Sequence, residues 1–177
     1  MRNGYTAQND KKNLAGTVSG SGTELTILRN SEEIFYSALR EMEENPKVCL
    51  LKKYRQHKGN TTFRHCHSVA ESSFRMAQRL GWRVDERALA RGAMLHDYHL
   101  YTRERHKINA LRHAFGHPKT ALSNAEQVFV LSSKEKNIIR SHMWPLTLLS
   151  LPRSKEAVLV SLADKICAFR EMSRRNR

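Results

Sequence analysis

Apolar residues recur at helical spacing along most of the chain, and strand-like alternation is sustained nowhere. Asn30 followed by Glu33 has the form of a capping box, and Ile34, Phe35, Ala38 and Leu39 follow it to a stop near Asn45-Pro46. A second helix is expected from Pro46 to about His57, with Val48, Leu50 and Leu51 on its apolar side. Thr61 or Thr62 can cap a third, in which Phe63, Ala70, Phe74 and Ala77 recur until Gly81 ends it. Asp85 stands where an N-cap belongs for a fourth, running through Ala88, Leu89, Ala93, Met94 and Leu95. The stretch 98–116 is basic, His-rich and only partly periodic. Pro118 fits the first turn of a helix reaching Val130. Ser132 with Glu135 forms another capping box before Ile138 and Ile139, in a helix that must finish before Pro145. Ser154 caps a last helix to about Ser173. The fold class is all-α.

Composition adds the domain layout. Residues 1–24 hold four of the eight glycines (Gly4, Gly16, Gly20, Gly22) among Asn, Ser and Thr, and read as a disordered polar tail. A short ordered piece is allowed around Leu25 to Leu28. Residues 25–177 are expected to form a single domain, the length suiting one core. No apolar run nears the ~20 residues that cross a bilayer, so membrane insertion is not expected. The polar start, Met1 to Asp10, lacks the apolar stretch of a secretory signal. Cys49, Cys66 and Cys167 form no CxxC pair and suggest neither a disulfide framework nor a zinc ribbon. A cytoplasmic, reducing setting is expected.

Charge points to partners. Lys and Arg number 31 against 17 Asp and Glu, a formal net charge of +14. Such an excess favours phosphates, nucleotides or nucleic acid without choosing among them. Only four of the acids are aspartates, Asp10, Asp85, Asp97 and Asp164. Asp10 falls in the tail and Asp85 at a cap. Asp164 lies within the apolar run Val158 to Ile166, where an unpaired carboxylate is costly to bury. His96 and Asp97 end the fourth helix, and His67 sits between Phe63 and Ala70-Phe74 on the third. Four hard-to-bury groups on three helices suggest a metal at the centre of a bundle. Each alone has an ordinary explanation. A His-Asp pair arises by chance in roughly one chain in five of this composition, and a lone His67 or Asp164 can be satisfied by hydrogen bonds or a nearby cation. The set in this order is the signal.

His67-Ser68-Val69-Ala70, Leu95-His96-Asp97 and Leu162-Ala163-Asp164-Lys165 resemble the H…HD…D signature of the HD-domain metal-dependent phosphohydrolases, over roughly residues 34–172. His113-Ala114-Phe115-Gly116-His117-Pro118 and Ile138 to Leu146, which includes His142, resemble a bacterial branch of that superfamily. The resemblance implies an HD-type helical bundle in which His67, His96, Asp97 and Asp164 hold a first divalent metal, with Asp97 able to bridge to a second. It implies His117 and His142 as ligands of that second metal. His113 is a further candidate that can instead cap or orient His117. Tyr98-His99 after the His-Asp pair departs from the small residue and Gly of many members, and residues that nucleotidase members use for base or sugar have no match.

A mixed imidazole and carboxylate set suits Mn, Fe, Co, Ni or Zn better than Mg or Ca, as one ion or two. The implied reaction is hydrolysis of a phosphate mono- or diester of a nucleotide or small phosphorylated molecule by a metal-activated water, with His96 and Asp97 at its centre. Arg103, Arg105 and Lys165 are the candidate phosphate contacts. Two alternatives stay open. One is a non-catalytic HD module that binds RNA or nucleotide through its basic surface; the other is a di-iron HD oxygenase.

Overall fold

Short polar side chains decide where most of the helices begin. The computed structural model describes residues 20–57, 60–100 and 110–173. Its first helix, α1, spans Gly20–Glu44. Asn45 then accepts the Lys47 amide and opens α2, Pro46–Cys49, which tightens into a 3-10 turn at Leu50–Lys53. Strands β1 (Arg55–His57) and β2 (Asn60–Thr61) form a small antiparallel hairpin. Thr61 accepts the Arg64 amide at 3.3 Å and starts α3, Thr62–Arg79. Asp85 accepts the Ala88 amide at 2.9 Å and starts α4, Glu86–Leu95. α5 spans Ala110–Glu126. Ser132 and Glu135 exchange both bonds of a capping box to open α6, Ser133–Ser141. Ser154 accepts the Ala157 amide at 3.2 Å at the head of α7, Lys155–Ser173. The protein is all-α, apart from that one hairpin among the described residues.

Three segments differ from the sequence reading. α1 begins ten residues before Asn30. Thr23 to Arg29 contains no Gly or Pro, so the helix reaches Asn30 already formed and the amides there need no cap. The first nineteen residues lie outside the described residues. The helix expected from Pro46 to His57 is instead a turn of α2, a 3-10 turn and β1. Val48 and Leu51 are buried, a three-residue spacing that the 3-10 geometry meets, while Lys52 and Lys53 face solvent. Pro118 stands inside α5 and not in its first turn: α5 begins eight residues earlier and forgoes one amide bond at Pro118. α5 also ends at Glu126, before the exposed Val128 and Val130.

α3 stops through backbone chemistry. Gly81 has φ of 61°, a left-handed conformation that glycine adopts without strain. The Trp82 amide donates to Ala77 and the Gly81 amide to Gln78, closing a Schellman motif.

α4 is the hub, packed against α1, α3, α6 and α7. Seven of its ten residues are buried. Phe35, Ala38, Leu39 and Met42 line the inner face of α1, and Phe35 stacks on Phe74 of α3 with ring centroids 4.1 Å apart. Gly92 lets α4 approach α6: a Cβ there would lie 2.6 Å from Ile138 Cδ1. Polar ties fix the register. Glu156 at the start of α7 accepts the Asp85 amide at 2.7 Å, and Glu135 on α6 pairs with Arg91 on α4. No helix among the described residues is long and apolar enough to cross a membrane.

Candidate metal centre

His96 is the C-cap of α4, and Asp97 follows it directly, so the hub helix delivers both side chains to the interior. α7 brings Asp164, α5 brings His117, and α6 ends on His142 as its C-cap. A fifth helix, α3, contributes His65 from its first turn. All six are buried. They fall into two groups, His65–His96–Asp164 and Asp97–His117–His142, and within each group the potential ligand atoms lie within 4.8 Å of one another.

His67 is not among them. It pairs with Glu43 of α1 through Nε2 at 3.0 Å, and a third of its side chain is exposed. The correction is one of helix phase. Successive residues turn about 100°, so positions 65 and 67 look in nearly opposite directions. The buried residues of α3 are Thr62, His65, Cys66, Val69, Ala70, Ser73, Phe74 and Ala77, and His65 continues that face. Phe63, which anchored the sequence reading, is only half-buried. The spacing of Cys66, Val69 and Ser73 carried the signal, hidden by their small or weakly polar side chains.

Hydrogen bonds fix the rings. His96 Nδ1 donates to the Ala93 carbonyl at 2.7 Å, and His142 Nδ1 to the Ile139 carbonyl at 2.8 Å. A carbonyl can only accept, so in each neutral ring Nε2 carries the lone pair. His96 Nε2 has no hydrogen-bond partner, yet it is buried with Asp97 Oδ2 and Asp164 Oδ1 both at 3.7 Å. His142 Nε2 meets His117 Nε2 at 2.7 Å and Asp97 Oδ1 at 3.5 Å, and His117 Nε2 lies 3.3 Å from the same oxygen. Lone pairs and carboxylate oxygens thus converge with too few protons between them, an arrangement that a cation satisfies. The residues fit a metal.

The carboxylates favour positive charge among them, carried by an ion or, without one, by protonated imidazole. Burial pushes the Asp97 carboxyl up, but His96 and His117 beside it hold it well below the ordinary range. Asp164 is likewise depressed against burial, by His65 and His96. Burial pulls His65 down, but its bonds to Asp164 and Glu171 outweigh that and raise it to about 10. Burial also opposes charge on His96, where Cys66 and Asp97 win and lift it well above 6.5. His142 goes the other way, to about 3, lowered by burial and by His117. It stays neutral, with its lone pair available. His99, buried beside Asp97, is lowered mainly by burial.

Lys165 lies at the edge of the cluster, 3.8 Å from Asp164. Its ammonium donates to the His142 carbonyl at 2.8 Å and to the carbonyl and hydroxyl of Ser161 at 3.0 and 3.3 Å. Three acceptors take up its three donors, so it acts as a strut between α7 and the His142 turn. Arg103 and Arg105 lie outside the described residues, as does the side chain of His113, whose position falls on α5. His65, His99 and Glu171 are the residues that sequence reasoning missed.

The family model for the HD domain matches residues 62–168, more than half of the chain. The chain belongs to the HD-domain family. Its match begins at the first residue of α3 and ends on α7 beyond Asp164, so it contains all six clustered residues. HD domains bind divalent metals and characterise a superfamily of the metal-dependent phosphohydrolase type. Comparisons with curated proteins and with solved structures gave no significant match.

Proposed function

We propose that this HD-domain chain is a metal-dependent phosphohydrolase acting on a phosphate mono- or diester of a nucleotide or small phosphorylated molecule. The observation that carries the reading is the convergence of imidazole Nε2 atoms on Asp97 and Asp164, with the rings of His96 and His142 held from behind at Nδ1. His65, His96 and Asp164 would hold one ion and Asp97, His117 and His142 a second. Asp97 joins the halves, one oxygen towards His96 and the other towards His117 and His142. Bound there, Mn, Fe, Co, Ni or Zn supplies Lewis-acid neutralisation of phosphoryl charge and a lowered pKa for water.

The chain's own part is to position and to insulate. Burial keeps bulk water from the six side chains, which strengthens every charge interaction among them. Asp97 and Asp164, both held ionised, offset the positive charge that the centre would take up. Lys165 keeps the His142 turn against α7. Arg103 and Arg105, in the segment between Asp97 and His117, are assigned to substrate phosphate on sequence position and charge.

A panel of phosphomonoesters, phosphodiesters, nucleotides and cyclic dinucleotides, run with each metal, tests the reading. A His96→Ala/Asp97→Ala protein serves as control for contaminating phosphatases. Turnover by the unaltered chain that the control lacks supports it; absence of bound transition metal by elemental analysis, with no metal-dependent turnover, sinks it. The net charge of +14 favours RNA binding as a second reading. Steeply salt-sensitive RNA affinity without hydrolysis would select that one.

A further inference from the structure

α7 offers two carboxylates to a single ring. Asp164 and Glu171 are seven residues apart, two turns along one helix face. Between them lies His65 of α3, fully buried, with Nε2 at 3.1 Å from Asp164 Oδ1 and Nδ1 at 3.1 Å from Glu171 Oε1. A neutral imidazole has one N–H. When Nε2 gives its lone pair to an ion in the His65–His96–Asp164 group, the proton must sit on Nδ1, and Glu171 is the acceptor there.

Two further rings differ. His96 and His142 rest on the neutral carbonyls of Ala93 and Ile139. Hydrogen bonds to an ionised acceptor are roughly twice as strong as neutral ones, and they raise the basicity of the ligating nitrogen.

We propose that Glu171 is a positioning residue: it sets the His65 tautomer and makes the His65–His96–Asp164 group the tighter of the two, the group that fills first. The proposal rests on reading the cluster as a metal centre and adds an order of loading to it.

The test uses the full chain stripped of metal and titrated with Co(II), followed by visible absorption. Zn affinity is measured in parallel by competition with a chromophoric chelator. Glu171→Gln keeps the shape and removes the charge. It is expected to weaken the first ion about 10–100-fold and shift its Co(II) absorption, while the second ion changes less than about threefold. Glu171→Asp retains the charge and is expected to weaken the first ion less than Glu171→Gln does. Unchanged first-ion affinity and spectrum in Glu171→Gln overturn the proposal, as does equal weakening of both ions. Should Glu171→Gln fail to fold, Glu171→Asp decides, a first-ion affinity and spectrum identical to the parent counting against it. A parent chain that takes up neither Co(II) nor Zn overturns the metal-centre reading itself, a different result from an indifferent variant.

Discussion

At the scale of single residues, two histidines separated by one position have opposite fates. His65 is buried against Asp164 and Glu171; His67 is paired with Glu43 at the surface. Replacing His65 with Ala is therefore expected to weaken metal binding by ~100-fold or more, beyond the range seen for outer-shell partners. His67→Ala should leave it within about twofold, because an exposed ion pair contributes little. Chelator competition on the two variants checks this directly, and equal losses would contradict the placement. The sequence pointed to His67 on α3, whereas the structure clusters His65. Phe63 and Phe74 dominate a reading by side-chain size, whereas the buried face is set as much by Cys66, Val69 and Ser73. His96, Asp97, Asp164, His117 and His142 were legible because each stands against an apolar run or within a motif.

At the scale of elements, caps were legible because their chemistry is local. Asp85, Ser132 and Ser154 open helices where the sequence places them, each by one short side-chain bond. The starts of α1 and α5, which lie upstream of Asn30 and Pro118, were not. The α4–α6 contact makes a sharp case. Gly92→Ala gains about 1 kcal/mol in helix propensity, but its Cβ would meet Ile138 Cδ1, Cγ2 and Cβ at 2.6, 2.9 and 3.0 Å. One side-chain rotation cannot clear three atoms including Cβ. Overpacking costs about 1–3 kcal/mol, so net destabilisation of up to about 2 kcal/mol is expected in urea unfolding, and Gly92→Ala should cost less in an Ile138→Ala background than in the parent chain. The α4–α7 tie makes another. Burial pushes the Glu156 carboxyl up, but the Asp85 amide and Lys134 help hold it below 4.5. Its folded-state value is thus below the unfolded one. The stability it supplies is complete above about pH 4.5 and is lost as pH falls through the folded value. Glu156→Gln should cost about 1.5–3 kcal/mol at pH 7, the range for hydrogen bonds to charged groups. Denaturation midpoints measured from pH 7 to 3 should converge towards the acid end.

At the scale of the whole molecule, a cluster of buried carboxylates and imidazoles lies at the meeting point of α3, α4, α5, α6 and α7. An ion that binds only the assembled cluster stabilises the fold by mass action, about 4 kcal/mol at a thousand times its Kd. For a chain of this size that corresponds to a rise in Tm of roughly 8–16 °C. Thermal scans with Zn or Mn and with chelator check it; coincident curves would argue against a site shared by several helices. The overall bundle was readable from periodicity alone. The division into two groups was not, because it depends on how five helices cross.

The His96 and His142 rings each bond to a carbonyl three residues back in their own helix, α4 and α6. Both stand at the negative pole of a helix macrodipole, where positive charge is favoured before any side chain contributes. Main-chain oxygens cannot be mutated away. Two of the imidazoles are therefore insured against substitution of their supports, and genetic drift has little purchase on their orientation. His65, backed by a side chain, is the limb through which single codon changes could retune the centre.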